Sequence, residues 1–240
     1  MFACIIAMPS KVTHGQAPKP QEDSTKQPAN QQTAKQDAGK QQGKQWTNLK
    51  GKWSECQFGG DGPIEVTDKM ITLGYGDPIT GVKWDGDILR DNYEIEVEAR
   101  RVEGFDFFCA ITFPIAKEKA SLVLGGWGGG VVGISSIDDR DASDNETTMF
   151  TNFDNDTWYR ARIRIEETRL AVWLDDKLQF EHPRKDHTFD IRYEMDPCVP
   201  FGLANYQCKS EIRVVRVRPL GKDELGIDLS ATGKKIDAKK

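Results

Sequence analysis

Residues 122–147 contain the side chains best suited to chemistry. Two apolar runs flank the segment Gly-Gly-Trp-Gly-Gly-Gly at residues 125–130, in which Trp127 is the one large side chain. Glycine lets a ligand or another chain approach the backbone closely, and the face of an indole can stack on the apolar side of a sugar ring. One interpretation is a binding site at Trp127. The other is a tryptophan packed beneath a sheet, with glycines that relieve crowding.

A loop rich in carboxylates follows the second apolar run, at residues 138–146. Glycoside hydrolysis commonly uses two carboxyl groups about 5–10 Å apart, one protonated and one ionised. An acidic loop can also be simply solvated, and its oxygen atoms could instead hold a structural calcium ion. The candidate residues are Asp139, Asp141 and Glu146 for catalysis, and Trp127, Arg140, Asp144 and Asn145 for substrate binding.

Motifs for other chemistries are missing from the sequence. It contains no P-loop, no dinucleotide fingerprint, no nucleophile elbow and no C-x-x-C pair. His182 and His187 are five positions apart, a spacing that suits neither one face of a strand nor one face of a helix. We therefore predict no metal site and no cofactor other than the calcium ion considered above.

The overall charge argues against two classes of partner. The chain of 240 residues has a net charge of −5, whereas binding to phosphate groups requires clustered Lys and Arg. No run approaches the about 20 apolar residues that a membrane span requires. We expect neither a nucleic-acid partner nor a membrane span.

The first 45 residues differ in composition from the rest of the chain. Residues 1–17 contain a short apolar run followed by Gly15-Gln16-Ala17, which has small residues at the −3 and −1 positions of a signal-peptidase site. We interpret this segment as a clipped signal peptide of an exported protein. Residues 18–45 are rich in Gln, Lys and Pro, without aromatic or branched aliphatic side chains, and predict a disordered linker.

Four cysteines remain after the leader: Cys56, Cys109, Cys198 and Cys208. An even number in an exported protein allows three disulfide pairings. Cys198 and Cys208 would face each other if the segment between them joins adjacent strands. The alternative is four buried, reduced thiols, since a free cysteine behaves as a small apolar side chain.

From residue 46 onward the pattern predicts an all-β domain. Short apolar or alternating runs are separated by Gly, Asp, Asn and Pro clusters every 8 to 12 residues or so, which is typical of an antiparallel sandwich. We place the domain at residues 46–220, with a three-stranded meander at residues 158–181. Residues 221–240 show little pattern and predict a loosely ordered tail.

Two of the predicted strands carry rows of opposite charge. Glu94, Glu96 and Glu98 alternate with apolar residues in one strand, and Arg160, Arg162 and Arg164 do so in another. We expect the two rows to pair across neighbouring strands on a solvated face.

Several phrases of the domain resemble a known bacterial family. They are Gly51 to Trp53, Trp84-Asp85-Gly86-Asp87, Trp158 to Ile163, Trp173-Leu174-Asp175-Asp176 and Arg213 to Leu220. Together they resemble the 3-keto-disaccharide hydrolase domain family, over residues 46–220. The resemblance implies an exported bacterial protein with a concanavalin A-like jelly-roll sandwich that acts on carbohydrate.

The functional expectation combines these features. The leading hypothesis is an exported, hydrolase-like domain that acts on glycosides, including 3-keto-glycosides. The alternative is a non-catalytic carbohydrate-binding or adhesion module. An enzyme should have two carboxylates in a cleft, at least one with a raised pKa, whereas a binding module should have an open aromatic platform without such a pair. A domain that binds another protein should instead expose an apolar patch.

Overall fold

The structure, a computed structural model, describes residues 45–230. The predicted signal peptide at residues 1–17, the linker up to residue 44 and residues 231–240 lie outside the described residues. The strands are β1 (Thr47–Asn48), β2 (Trp53–Glu55), β3 (Ile64–Val66), β4 (Ile71–Leu73), β5 (Ile79–Trp84), β6 (Tyr93–Gly104), β7 (Cys109–Ile115), β8 (Glu118–Gly125), β9 (Val131–Ser135), β10 (Met149–Phe150), β11 (Tyr159–Ile165), β12 (Arg169–Leu174), β13 (Lys177–Pro183), β14 (Gly202–Tyr206) and β15 (Cys208–Pro219).

These strands form two antiparallel sheets. The first has the order β13-β12-β11-β6-β15-β4-β3, with β1 on β15, and the second has the order β10-β9-β8-β7-β14-β5-β2. Consecutive strands β11, β12 and β13 form the predicted meander. The prediction of an all-β, jelly-roll sandwich is confirmed.

Alternation along the strands of the second sheet separates the core from its outer face. In β7, Cys109, Ile111 and Phe113 belong to the main core between the sheets, whereas Ala110 belongs to a smaller cluster on the other side. Even the outward-facing residues of β7 are buried. Other segments of the chain must therefore cover this face, and they form the walls of the cleft described below.

The charged rows pair as expected, but not in solvent. Glu94, Glu96 and Glu98 lie opposite Arg164, Arg162 and Arg160 in the register of β6 with β11, which confirms the cross-strand pairing. The expected solvated face is wrong for Glu94, Glu96 and Arg164, which are 1%, 7% and 3% exposed.

The cover over this end of the charged rows is the segment that follows β15. The carbonyl oxygen of Glu224 accepts a hydrogen bond from Arg164, and Gly226 N donates to Glu166 Oε2 at 3.0 Å. Leu229 is fully buried against Ala171 and Trp173. Packed structure therefore extends to residue 230, ten residues beyond the domain end placed from sequence.

The four described cysteines are all buried and unbonded. Cys198 Sγ lies 3.2 Å from Cys56 Sγ, while the Cys208 thiol donates a hydrogen bond to the carbonyl oxygen of Phe107 at 3.2 Å. Cys198 and Cys208 do not face each other, and the alternative of four buried, reduced thiols describes the structure. Strand β14 lies between the two cysteines in the sequence. Cys198 precedes β14 and lies near the edge strand β2, whereas Cys208 follows β14 and is the first residue of β15.

Candidate functional site

A cleft of about 500 Å³ lies on the outer face of the second sheet. Its floor consists of Ile79 on β5, Ala110 on β7, and Ser121 and Val123 on β8. These residues alternate with core residues, so their side chains project away from the sandwich interior. The floor is mainly apolar, with the Ser121 hydroxyl bonded to the Thr112 hydroxyl at 2.7 Å.

The turn between β8 and β9 forms one end of the cleft. Trp127 lines it with an indole that is 45% exposed, and has a left-handed backbone with φ 49° and ψ 54°. Asp106 holds this turn, because its Oδ2 accepts from Gly128 N at 3.2 Å while its Oδ1 accepts from Phe107 N at 2.7 Å. The indole therefore lies at the open mouth of the cleft and not beneath the sheet.

The left-handed conformation at Trp127 is unusual for a large side chain. It costs of order 1–3 kcal/mol and persists only when the surroundings enforce it. The surroundings here include Gly129, where a Cβ atom would lie 2.3 Å from the carbonyl oxygen of Phe105. Strained residues of this kind cluster at active sites, ligand clamps and switch regions.

A 3-10 helix at Tyr193–Cys198, together with the preceding Arg192, forms a second wall. Arg192 Nη2 donates to Glu194 Oε1 at 3.0 Å, and Tyr193 is 79% exposed. Burial opposes the ionisation of Glu194, but the hydrogen bonds from Arg192 and the backbone, together with the charge of Arg192, outweigh it and keep the pKa of that carboxyl below its usual value. Within the described residues, the buried Oε2 of Glu194 has no hydrogen-bond partner.

The acidic loop packs over the outer face of β9. Ala142 lies against Gly133, where a Cβ atom would be 2.8 Å from the Ala142 carbonyl oxygen. Asp141 Oδ1 accepts from Ser135 Oγ at 3.0 Å, and its Oδ2 pairs with Arg192 Nη1 at 2.7 Å. Asp141 thus joins two residues that line the cleft without lining it itself.

Asn145 organises the loop from inside. Its Nδ2 donates to the carbonyl oxygens of Ile134 at 2.8 Å, Arg140 at 3.0 Å and Asp141 at 2.8 Å. Its Oδ1 accepts from the backbone and the hydroxyl of Thr147, at 2.9 and 2.6 Å. The whole amide is therefore engaged in fixing the loop.

The remaining predicted residues lie on the exposed side of the loop. Arg140 pairs with Glu146, and the Glu146 backbone amide and Arg140 lower the pKa of the Glu146 carboxyl. Asp139 and Asp144 are exposed. None of these four residues lines the cleft.

Next to this loop the two histidines are in contact with each other. Their ring centroids are 4.5 Å apart, and His187 Nδ1 lies 2.6 Å from Asp138 Oδ2. The backbone amide of Thr188, then His187, lowers the pKa of Asp138 to about 2. No group of three or more His, Cys, Asp or Glu side chains in residues 45–230 could hold a metal ion.

Sequence reasoning missed the second wall and the carboxylate of Asp106. One signal was available, since residues 184–201 form a long connection with no strand periodicity, and such connections are often functional. This connection includes an exposed aromatic residue flanked by Arg192 and Glu194. Asp106 had no comparable signal, because its role depends on the folded turn at Gly128.

Comparisons with known proteins indicate similarity of fold. No protein-family model and no curated protein matches the chain. The carbohydrate-binding module CBM66 from Bacillus subtilis is similar at 15% identity and a TM-score of 0.48, over 71% of this chain and 97% of that one. The carbohydrate recognition domain of Emp47p is similar at 14% identity and a TM-score of 0.47, over 73% and 91% of the two chains.

A third solved structure is domain 4 of AbnA, a GH43 extracellular arabinanase from Geobacillus stearothermophilus, in complex with arabinotriose. It is similar at 14% identity and a TM-score of 0.43, over 79% of this chain and 87% of that domain. In addition, the described part of this chain contains no helix long and apolar enough to cross a membrane.

Proposed function

We propose that this protein is an exported carbohydrate-binding module and that its ligand is an oligosaccharide held in the cleft. The observation that carries the proposal is the pair of exposed aromatic residues, Trp127 and Tyr193, on a concave surface that also contains hydrogen-bonding groups. Sugars are recognised by this combination, in which rings stack on aromatic faces and hydroxyl groups bind charged or polar side chains. The expected export is part of this proposal.

The dimensions of the cleft favour more than one sugar ring. Trp127 precedes β9, whereas Ser135 ends it, and four residue steps along a strand span about 13 Å. Arg192 lies at the Ser135 end, since both bind Asp141. A ligand that contacts Trp127 and Arg192 together must therefore extend along β9.

The polar groups of the cleft suit hydroxyl ligands. Glu194 has a side chain that is 30% exposed, and its Oε1, which already accepts from Arg192, is the acceptor proposed for the hydroxyl donors of a sugar. Two other polar side chains of the lining, Ser121 and Ser135, already donate or accept within the protein. Glu194 and Arg192 bind each other as well, but they are the charged side chains on the wall that also carries Tyr193, and we propose that this pair orients the ligand.

A hydrolase of the 3-keto-glycoside type is the second candidate. It is favoured by one observation, that two carboxylates, Asp106 and Glu194, line the same cleft. A general acid must be protonated at the working pH and therefore needs a raised pKa. The pKa of Glu194 is lowered, and both oxygens of Asp106 accept backbone hydrogen bonds, so binding without catalysis ranks first.

A glycan array followed by titration calorimetry tests the binding proposal. We expect Trp127→Ala to weaken binding of an oligosaccharide hit at least about tenfold, or roughly 1.4 kcal/mol, and Tyr193→Ala to weaken it as well. Phe150→Ala is the matched control, because Phe150 is 78% exposed on β10 but does not line the cleft. Equal affinity of Trp127→Ala and the wild type would refute the site assignment.

An activity assay should follow, in which the protein is incubated with the same hits and with 3-keto-glycosides while the released sugar is measured. The binding proposal expects no release. Turnover by the wild type that disappears in Glu194→Gln or Asp106→Asn would replace it with the hydrolase.

A further inference from the structure

Cys56 and Cys198 are held side by side beneath the second wall of the cleft. Their Sγ atoms are 3.2 Å apart, and their residues are 7% and 0% exposed. A disulfide bond has a length of about 2.0 Å, so the two sulfur atoms need to approach by only about 1.2 Å to reach it. Rotation of the two cysteine side chains can move their sulfur atoms by this distance.

The backbone on both sides of the pair is fixed. Cys56 directly follows β2, and its amide donates to the carbonyl oxygen of Gly81 at 2.9 Å. Cys198 ends the 3-10 helix and packs on β14, where a Cβ atom at Gly202 would lie 2.7 Å from the Cys198 Cβ. The thiols therefore meet because of the fold and not through the chance orientation of a loop.

The two cysteines also share an apolar cluster with residues of the cleft. Ile79, Ala110 and Met195 belong to this cluster, and all three line the cleft. A covalent bond between Cys56 and Cys198 would join the edge strand β2 to the 3-10 helix that follows Arg192. That helix carries Tyr193 and Glu194.

We propose that Cys56 and Cys198 form a disulfide bond, and that this bond fixes the wall of the cleft formed by residues 192–198. Cys109 and Cys208 provide the contrast within the same chain. The Cys208 thiol donates a hydrogen bond to the Phe107 carbonyl oxygen, so this thiol is already engaged with the backbone. We expect Cys109 and Cys208 to stay reduced.

The oxidant is a disulfide compound of the thiol–disulfide exchange class, such as oxidised glutathione. One cysteine thiolate attacks a sulfur of the oxidant, which forms a mixed disulfide and releases one thiol. The second cysteine thiolate then displaces the second thiol. Two protein thiols are oxidised to one disulfide, one oxidant disulfide is reduced to two thiols, and the protons pass from the protein thiols to the released thiolates.

The bond must form before the pair is buried. The thiolate is the attacking species, and in the folded, reduced protein the hydrogen bond between Cys198 and Cys56, together with burial, raises the pKa of the Cys198 thiol. Oxidation therefore belongs to the folding stage, when both side chains are accessible to the oxidant.

Differential alkylation of the full chain tests the bond. The protein is refolded with a mixture of reduced and oxidised glutathione, unfolded, and alkylated with and without prior reduction. Of the five cysteines in the sequence, we expect two fewer to be alkylated without reduction, together with a peptide linking Cys56 to Cys198. Cys109→Ala and Cys208→Ala should keep this peptide, and Cys56→Ala with Cys198→Ala should lose it. Equal alkylation, or a different linked pair, overturns the proposal.

Hydrogen exchange tests the effect on the wall without any ligand, so it does not depend on the proposed function. We expect the amides of residues 192–198 to exchange at least about tenfold more slowly in the oxidised protein than in the reduced protein. The meander at β11 to β13 is the internal reference and should not change. Unchanged exchange at residues 192–198, with the bond present, would overturn the positioning role. Loss of glycan binding alone would refute the proposed function and leave this result intact.

Discussion

Replacing Glu94 with glutamine should destabilise the protein by several kcal/mol although the change adds no bulk. Glu94 is buried, and its Oε2 lies 2.7 Å from Arg218 Nη2 and 2.8 Å from Arg218 Nε. Its Oε1 lies 3.2 Å from Arg162 Nη1 and 3.3 Å from Arg164 Nη1. One carboxylate therefore compensates three guanidinium groups in a region from which water is largely excluded.

The magnitude follows from what the substitution leaves behind. Removing one partner of a buried ion pair costs about 3–5 kcal/mol, because the other charge remains buried without compensation. Arg164 keeps Glu166 at 2.7 Å, and Arg218 keeps Glu224 at 2.9 Å. This remaining compensation places Glu94→Gln at the low end, about 3 kcal/mol.

Glu98→Gln is the matched control, on the same strand and in the same row. Glu98 pairs with Arg213 at 2.6 Å, and the Arg213 side chain is 46% exposed. An ion pair that water can reach contributes about 1 kcal/mol or less. The two substitutions thus remove the same charge from the same β-strand and differ in burial.

Equilibrium unfolding in urea at pH 7 measures both free energies of unfolding. Repeating the measurement at about 1 M salt should remove most of the Glu98 effect and little of the Glu94 effect, because salt screens exposed charges more strongly than buried ones. A difference of less than about 1 kcal/mol between the two variants would refute the argument that the C-terminal segment buries this network.

Three further predictions concern other contacts. Burial and the neighbouring His187 lower the pKa of His182, so the unfolded chain takes up the proton first and stability should fall as the pH drops below about 6.5; thermal unfolding between pH 8 and pH 5 should show a flatter profile for His182→Leu. Asn145→Ala should cost about 2 kcal/mol in urea unfolding and speed tryptic cleavage at Arg140, because buried backbone groups lose their partner. Leu229→Ala should also cost about 2 kcal/mol in urea unfolding, since it empties a fully buried position.

The sheet architecture could be predicted because it depends on local alternation. Glu94 to Glu98 and Arg160 to Arg164 each alternate with apolar residues, which places each row of charges on one face of its strand, and the opposite charges of the two rows favour their pairing across neighbouring strands. The burial of Glu94 could not be predicted in this way. It depends on residues 221–230, which dock through scattered contacts, such as the hydrogen bonds to Glu166 and Arg169 and the burial of Leu229, and so leave no periodic pattern in the sequence.

The residues of the candidate site also fall into two groups, those that the sequence indicates and those that it does not. The glycines around Trp127 indicated an unusual turn, because an ordinary connection between strands does not require so many residues without a side chain next to an indole. Tyr193 and Glu194 reach the cleft through contacts between segments far apart in the sequence, such as the pair of Arg192 with Asp141, which are 51 residues apart. A contact of this kind becomes visible only when the fold is known.

Of the five carboxylates in residues 138–146, three bind a neighbouring cationic or imidazole side chain, and none of the five lines the cleft. Asp138 binds His187, Asp141 binds Arg192, and Glu146 binds Arg140. A carboxylate that already compensates a neighbouring cationic or imidazole group serves to shape the loop, and it becomes a worse candidate for proton transfer because that partner favours the ionised form. If the protein does hydrolyse a glycoside, the carboxylates to examine first are those that line the cleft, Asp106 and Glu194, and a ligand that displaces Arg192 from Glu194 would raise the pKa of that carboxyl toward the range an acid catalyst requires.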